Sequence, residues 1–404
     1  MQFVPGQLVP GQFVPGQFVP GQFVPGQAGG GGINSQATPV GSSEPGEAPG
    51  FNREVRVAVV GYGYWGSKHA RVLGGLPGVR MSIVDQDPDR LAEARRVHPS
   101  AVLARRVEEV LAAVDAVVVA TPPATHAEVA LQALRCGRHA LVEKPLATSI
   151  PDAQQMIDAA AASGVHLMVG HTFEYNAAVW KLKEIIDSGE LGRILYLDTA
   201  RLSLGRYQPD CNVIWDLAPH DISISSFLLG EVPRTAWVWA KRHVGNRHAD
   251  VAYLRLDFEK AATHAFVHVS WLDPCKVRRV TVVGERKMAV YNDMSDNERI
   301  RVYDIGVDSV DSEGHGETHA WPVSYRTGDI VSPYVHFNEP LLVQDSHFID
   351  CIRTGTRPHT PGERGLDIVR VLSAADAAET TGRPAFISRS TDPARSALAQ
   401  GVAS

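Results

Sequence analysis

Cysteine is scarce in this chain. Only Cys136, Cys211, Cys275 and Cys351 occur among 404 residues, and no two of them share a short paired spacing. That scatter argues against a disulfide framework and against a thiolate zinc site, so no metal centre is expected. It fits reduced thiols in a cytoplasmic protein. Long apolar runs are missing as well: none reaches the roughly 18 residues needed to cross a bilayer. The first residues show no basic stretch leading into an apolar one, so a secretory signal is not expected. Nor is there an excess of one charge. Acids and bases are interspersed, 45 against 39, for a formal net charge of -6. Nucleic acid and anionic membrane are therefore poor candidates for a main partner. What the chain does have is 44% hydrophobic and 21% charged residues, an ordinary globular composition with enough apolar matter for a large core. Its length suggests two to three domains of roughly 150 residues each.

Residues 1–53 are unlike the rest. Val-Pro-Gly-Gln followed by Phe or Leu recurs every five residues through Gln27, and a glycine run over Gly29 to Gly32 follows. Pro-Gly fits the centre of a type II turn. The phenylalanines are too sparse to build a core on so flexible a backbone, so a disordered extension is expected. A weak multivalent binding tail is the alternative. The last residues, 388–404, are small and polar and read as a flexible tail.

From Arg56 strands and helices alternate. Val57 to Val60, Met81 to Val84, Ala116 to Ala120, Ala140 to Val142 and Leu167 to Val169 are continuous apolar runs, as expected for strands covered on both faces. Asp87 precedes Pro88 as a helix cap, His126 to Cys136 stops at Gly137, and Pro151 to Ser163 stops at Gly164. This rhythm predicts a parallel, doubly wound sheet over residues 54–175. Over residues 176–387 the pattern changes to two helices, Ala178 to Ser188 and Ile214 to Leu229, and then closely spaced strands. Those strands are Ile194 to Leu202, Thr235 to Trp239, Val251 to Phe258, Ala265 to Trp271, Arg278 to Val283 and Met288 to Tyr291. Helices return over 338–354 and 361–381. The second region is thus an α+β domain with an open, mostly antiparallel sheet and helices on one face.

Four motifs carry chemistry. Gly61-Tyr62-Gly63-Tyr64-Trp65-Gly66 sits between a predicted strand and a predicted helix, the context a dinucleotide pyrophosphate site requires. Asp85 ends the next strand, where an acid meets ribose hydroxyls; a carboxylate there favours NAD over NADP, with NADP still possible. Thr121-Pro122, with His126 just beyond, follows a strand on the ligand-binding edge, although His126 is equally a plain helix-start residue. Glu143-Lys144-Pro145 ends the next strand on that edge. Lysine beside an apolar nicotinamide would have a lowered pKa and could polarise a substrate hydroxyl; the alternative is a solvated Lys-Glu pair. Finally, Asp216 and His220 are four residues apart, so a helix presents both on one face. Imidazole titrates near neutrality and suits proton transfer, with Asp216 orienting it or binding a neighbouring hydroxyl. A capping Asp and an incidental His would give the same letters. Arg201, Arg206 and Tyr207 precede that helix and read as surface residues, or else as contacts to a carboxylate or diphosphate.

In this order, the glycine loop, the Ala120 to His126 segment, Glu143-Lys144-Pro145 and Asp216-x-x-x-His220 resemble the glucose-fructose oxidoreductase, inositol dehydrogenase and rhizopine-catabolism (Gfo/Idh/MocA) family, from about Val55 to Ile387. Gly-Tyr-Trp-Gly, Val-Gly-His171-Thr-Phe-x-Tyr175-Asn176 and Trp-Asp-Leu-Ala-Pro-His-Asp resemble its bacterial sugar and nucleotide-sugar dehydrogenases. The resemblance implies a Rossmann domain followed by a substrate and oligomerisation domain, as a homodimer or homotetramer. It implies Lys144, Asp216 and His220 as the catalytic group. It places Glu143 and Lys144 by the cofactor, and Tyr175 and Asn176 by the substrate. The expected activity is NAD(P)-dependent oxidation of a secondary hydroxyl of a sugar, nucleotide sugar or cyclitol, or the reverse. His220 is the leading acid/base, Lys144 assists and Asp216 orients. A dinucleotide-binding sensor without turnover, and an enzyme using transient oxidation for elimination or cleavage, are the alternatives. Asn212-Val213-Ile214-Trp215 stand where many members carry glycines, which alters one pocket wall.

Overall fold

A computed structural model describes residues 53–245, 247–309 and 323–388. The extension of residues 1–53 and the tail of residues 388–404 lie almost wholly outside the described residues. The chain opens with β1 (Val55–Val60), α1 (Tyr64–Gly75), β2 (Val79–Val84), α2 (Pro88–Val97), β3 (Val102–Ala104), α3 (Glu108–Leu111) and β4 (Ala116–Val119). It continues through α4 (His126–Arg135), β5 (His139–Glu143), α5 (Ile150–Ser163) and β6 (Leu167–Gly170). These strands form one parallel sheet in the order β3-β2-β1-β4-β5-β6. All four residues of β4 are buried, and so are the apolar residues of β5, because helices cover both faces. Local chemistry sets the boundaries. The Asp87 side chain accepts from Asp89 N with Pro88 in the first turn, Ser149 accepts from Asp152 N, and Gly164 takes φ +65 where α5 stops. A parallel sheet puts every strand's carboxyl end on one edge, so the loops after β1, β2, β4, β5 and β6 share that edge.

The second region begins with α6 (Ala177–Asp187), β7 (Ile194–Leu202), α7 (Val213–Leu229), β8 (Thr235–Lys241), β9 (Val251–Phe258) and β10 (Thr263–Ser270). There follow β11 (Val277–Gly284), β12 (Met288–Asn292), β13 (Ile300–Tyr303), a small hairpin of β14 (Gly306–Ser309) and β15 (Val323–Arg326), and β16 (Ile330–Val331). Then come α8 (Pro340–Thr354), α9 (Gly362–Thr381) and β17 (Ala385–Phe386). Nine strands pair as β16-β13-β12-β11-β7-β10-β9-β8-β17. β7 and β10 run parallel and the other pairs run antiparallel, the expected mixed sheet. Helices α7 and α9 cover one face.

The chain then returns to the first sheet. α8 packs on α1, α9 packs on α5, and Val169 N donates to Thr360 O at 2.9 Å. Residues 340–372 therefore buttress the nucleotide-binding half, although they follow the second sheet in sequence. Among the described residues, no helix is long and apolar enough to cross a membrane.

Candidate active site

The glycine loop is shaped by contacts that differ at each glycine. Gly61 has φ +90, and a Cβ there would lie 2.8 Å from Ala120 O. A Cβ at Gly66 would fall 1.7 Å from Gly61 O, so the first turn of α1 closes directly on the loop. At Gly63 a Cβ would meet only Arg90 Nη1, at 3.8 Å. The space above Gly63 is thus open at the N-terminus of α1, which is what close approach of a pyrophosphate needs. The loop fits a dinucleotide. Beside it lies a cavity of about 580 Å³ whose walls include Gly61, Asp85, Arg90, Arg105, Thr121 and Pro122.

Asp85 does more than face that cavity. Its Oδ2 accepts from Tyr62 N at 2.6 Å and its Oδ1 from Asp87 N at 2.9 Å, so the carboxylate also braces the loop. Arg90 Nη1 stands 3.5 Å from it, so a base lies beside the carboxylate expected at the ribose. The Tyr62 side chain is buried in the core against the His98 edge and contributes only backbone here. Tyr64 and Trp65 are exposed and line a second cavity, of about 520 Å³. His126, expected at the cofactor, lines neither. It is buried, with Nδ1 2.9 Å from Pro145 O and Nε2 2.9 Å from Thr121 O, and it clamps the two loops together. Burial lowers its pKa. The neutral ring carries one N–H, so it donates to one carbonyl only.

The cavity of about 520 Å³ gathers Glu143, Lys144, Asn176, Asp216 and His220. Lys144 Nζ donates to Asp216 O at 2.7 Å and stands 3.5 Å from Asp216 Oδ1; the Lys144–Pro145 peptide is cis. Asn212 caps α7 by accepting from Trp215 N at 3.0 Å, and α7 then presents Asp216 and His220 one turn apart. Asp216 does not orient His220. Its Oδ2 accepts from Trp271 Nε1 at 2.9 Å and its other oxygen faces Lys144. Helical spacing put the two residues on one face, but a short aspartate reaches the lysine and the indole before the next turn. His220 instead rests against the edge of Phe173, 5.0 Å between ring centres, and its Nδ1 is sealed without a partner. That leaves Nε2 to the cavity. Burial, followed by the charges of Lys144, Arg201 and Arg278, pushes its pKa well below the ordinary imidazole value. His220 is therefore a neutral ring ready to accept a proton.

Two expected substrate contacts are otherwise engaged. Tyr175 points into the core, with its hydroxyl 3.0 Å from Thr360 Oγ1, and burial raises its pKa. It does not line the cavity. Asn176 does line it, but its Oδ1 accepts from Ala178 N and its Nδ2 donates to Tyr291 Oη, each at 2.9 Å. Arg201 is not a surface residue. It is buried, forks onto Asp221 at 2.7 and 3.3 Å, and lies 4.4 Å over Phe173. Arg206 is exposed, as read. Tyr207 is half-buried against Trp271.

Behind Lys144 lies a group that the motifs did not suggest. His69 on α1 is fully buried, with Nε2 2.9 Å from Glu143 Oε1 and Nδ1 2.9 Å from Asp345 Oδ2 on α8. Burial alone would lower its pKa, but the Asp345 and Glu143 carboxylates override that and hold it at about 10. Burial also pushes Asp345 up while the imidazolium opposes it. Two carboxylates around one ring make the charged imidazolium the state consistent with both distances. Glu143 Oε2 in turn accepts from Lys144 N at 3.1 Å. His69 follows Gly66 by three residues, so helical spacing could have pointed it inward; Asp345 had no such signal.

Comparison with known proteins gives a concordant picture. The Oxidoreductase family, NAD-binding Rossmann fold model matches residues 55–171, and the GFO/IDH/MocA C-terminal domain model matches 179–290. An inositol 2-dehydrogenase of Agrobacterium fabrum is 34% identical over 249 residues, 58% of this chain and 73% of that protein. The chain belongs to the Gfo/Idh/MocA oxidoreductase family. Another relative, the scyllo-inositol 2-dehydrogenase (NADP(+)) IolW of Bacillus subtilis, is 25% identical over 340 residues, 80% of this chain and 92% of its own. Other curated relatives, at 33% identity, are matched over only 52–60% of their own length. Among solved structures, the WlbA dehydrogenase of Bordetella pertussis, in complex with NADH and UDP-GlcNAcA, superposes with a TM-score of 0.68. It is 19% identical and covers 84% of this chain and 99% of that one, a likeness of fold. This oxidoreductase family member thus carries an NAD-binding Rossmann domain joined to a C-terminal mixed sheet.

Proposed function

We propose that this protein is an NAD(P)-dependent oxidoreductase acting on a secondary hydroxyl or ketone of a sugar, nucleotide sugar or cyclitol. Residues 54–175 are the nucleotide half and 176–387 the substrate half, with α8 and α9 bracing the first. The observation that carries the reading is the meeting of Lys144 and His220 in one cavity on the same sheet edge as the open space over Gly63. Gly61, Gly63 and Gly66 would hold the pyrophosphate, Asp85 the ribose, and Thr121 and Pro122 the cavity wall beside it. Bound nicotinamide supplies the two-electron chemistry at the substrate carbon.

The chain's own residues supply the proton chemistry. Lys144 Nζ keeps one hydrogen on Asp216 O and has others to offer a substrate oxygen. In the tautomer that keeps the ring proton on Nδ1, His220 Nε2 has a free lone pair and accepts the hydroxyl proton. Asp216 holds Lys144 in place, and the His69–Glu143 pair fixes the backbone from which Lys144 projects. The inositol dehydrogenases among its relatives support a polyol substrate. A panel of free sugars, inositols and nucleotide sugars with NAD and NADP, read by nicotinamide absorbance, tests the reading. Turnover of at least one polyol is expected. Tight NAD binding with no turnover of any would replace it with a sensor.

A further inference from the structure

The wall of the cavity of about 520 Å³ that the second domain supplies is unevenly charged. Of the acids lining the cavity, Glu143 is taken by His69, Asp216 by Lys144, and Glu339 by Arg71 at 2.5 Å. Among the lining acids only Asp293 remains for the second domain's cations, while Asp296, outside the lining, stands 3.9 Å from Arg299. It lies 3.2 Å from Arg278 and 3.6 Å from Arg299, and it also accepts from Tyr291 Oη at 2.8 Å. Asp293 is thus shared by two guanidiniums, and for Arg278 it is the one carboxylate within 4.0 Å among the described residues. Lys276, two residues before Arg278, also lines the cavity and has no acidic partner within 4.0 Å among the described residues. The ring of Phe173 joins this wall to the reacting centre. Arg278 lies 6.0 Å from the ring centre, Arg201 4.4 Å, and His220 packs on the ring edge at 5.0 Å.

We propose that Lys276 and Arg278, with Arg299 behind them, form an anion subsite one ring's width from His220, so that the substrate is a polyol bearing a carboxylate or phosphate. The inference rests on the oxidoreductase reading above and narrows its substrate class. Guanidinium forks match planar carboxylates and phosphates, and charge-assisted hydrogen bonds are stronger than neutral ones. The cavity, at about 520 Å³, has room for a sugar ring and an added charged group. After burial, the groups that lower the His220 pKa are Lys144, Arg201, Arg278 and His171. An anion bound at Arg278 opposes part of their field, so an acidic substrate also makes its own base stronger.

The test uses the full chain saturated with NAD, titrated with D-glucose, D-glucuronate and D-glucose 6-phosphate. Binding is read by tryptophan fluorescence and turnover by nicotinamide absorbance. One of the two anions should bind at least about tenfold more tightly than D-glucose at low ionic strength, as one added charged hydrogen bond predicts. Which anion gains tells carboxylate from phosphate. That ratio should fall toward one in Arg278→Gln and in Lys276→Gln, the second being an exposed residue whose loss spares the fold. Equal affinity for the three ligands, no binding of any, or a ratio unchanged in both variants would overturn the subsite. Anion-selective binding without turnover would retain the subsite and sink the oxidoreductase reading instead.

Discussion

At Lys144 one hydrogen is committed to the Asp216 carbonyl and the others remain for chemistry. General acid–base help is typically worth about 10² to 10⁴ in rate. Lys144→Ala and His220→Ala should therefore each lose at least about tenfold in kcat while NAD still binds, as initial rates and a fluorescence titration would show. The pH profile carries a sign as well. His220 must be neutral to accept a proton, and its pKa lies well below 6.5. Oxidation should thus fall only on strong acidification, and an acid limb of kcat/KM centred above about 7 would rule His220 out as the base. His69 gives the opposite dependence in stability. Its folded pKa of about 10 is raised above the ordinary value of about 6.5. Its contribution is full below about pH 6.5, declines between there and 10, and is gone above. Denaturant midpoints at pH 6, 8 and 10 should fall in the parent, and His69→Gln should flatten that fall and start lower. A parallel fall in both would show that other groups cause it.

The loop between β1 and α1 separates two roles for glycine. Gly66→Ala drives a Cβ into the Gly61 carbonyl, a backbone clash that should destabilise the fold by at least about 3 kcal/mol, beyond ordinary overpacking. Gly63→Ala meets nothing closer than Arg90 and keeps an allowed φ of -85, so its thermal midpoint should barely move. Its NAD affinity should nevertheless fall by about tenfold, because the methyl group occupies the space the pyrophosphate needs. Equal melting losses in both variants would remove that distinction. The same loop shows why much of the fold was legible. Buried parallel strands read as unbroken apolar runs, and caps such as Asp87 and Gly164 are local signals. β3 and β13 to β17 were not expected, since strands of two to four residues carry no periodicity and, unlike β4 and β6, these are not fully buried apolar runs. The candidate site was legible where motifs end strands, as at Glu143-Lys144. It was not where partners come from distant segments, as with Asp345 and His69, 276 residues apart. Tyr175 and Asn176 show the limit of motif transfer. Both lie near the cavity, but only one faces it.

At the scale of the whole molecule, the nine-stranded sheet buries one face under α7 and α9, while the other carries large aromatic residues in water. Cross-strand partners share a face, so Trp237, Trp239, Tyr253, Phe266 and Tyr196 stand side by side on β8, β9, β10 and β7. All five are at least 40% exposed, and Tyr253 stacks on His268 with centroids 3.9 Å apart. Contiguous aromatic area of this kind is unusual on a monomer and typical of an interface core. A second copy of the chain is the occupant we propose, since a two-fold axis lets one apolar patch bury itself against the same patch of its copy. The double variant Trp237→Glu, Trp239→Glu puts two charges at the centre of that contact, where desolvating them costs several kcal/mol. Light scattering behind a sizing column should give a multiple of the chain mass for the parent and a single-chain mass for the variant. Circular dichroism should be unchanged, because both positions lie on the face opposite α7 and α9. A parent that is monomeric at tens of micromolar would dismiss the interface. A variant that stays oligomeric would move it to another surface, and Lys144 and His220 would still sit on the far side of the sheet, within one protomer.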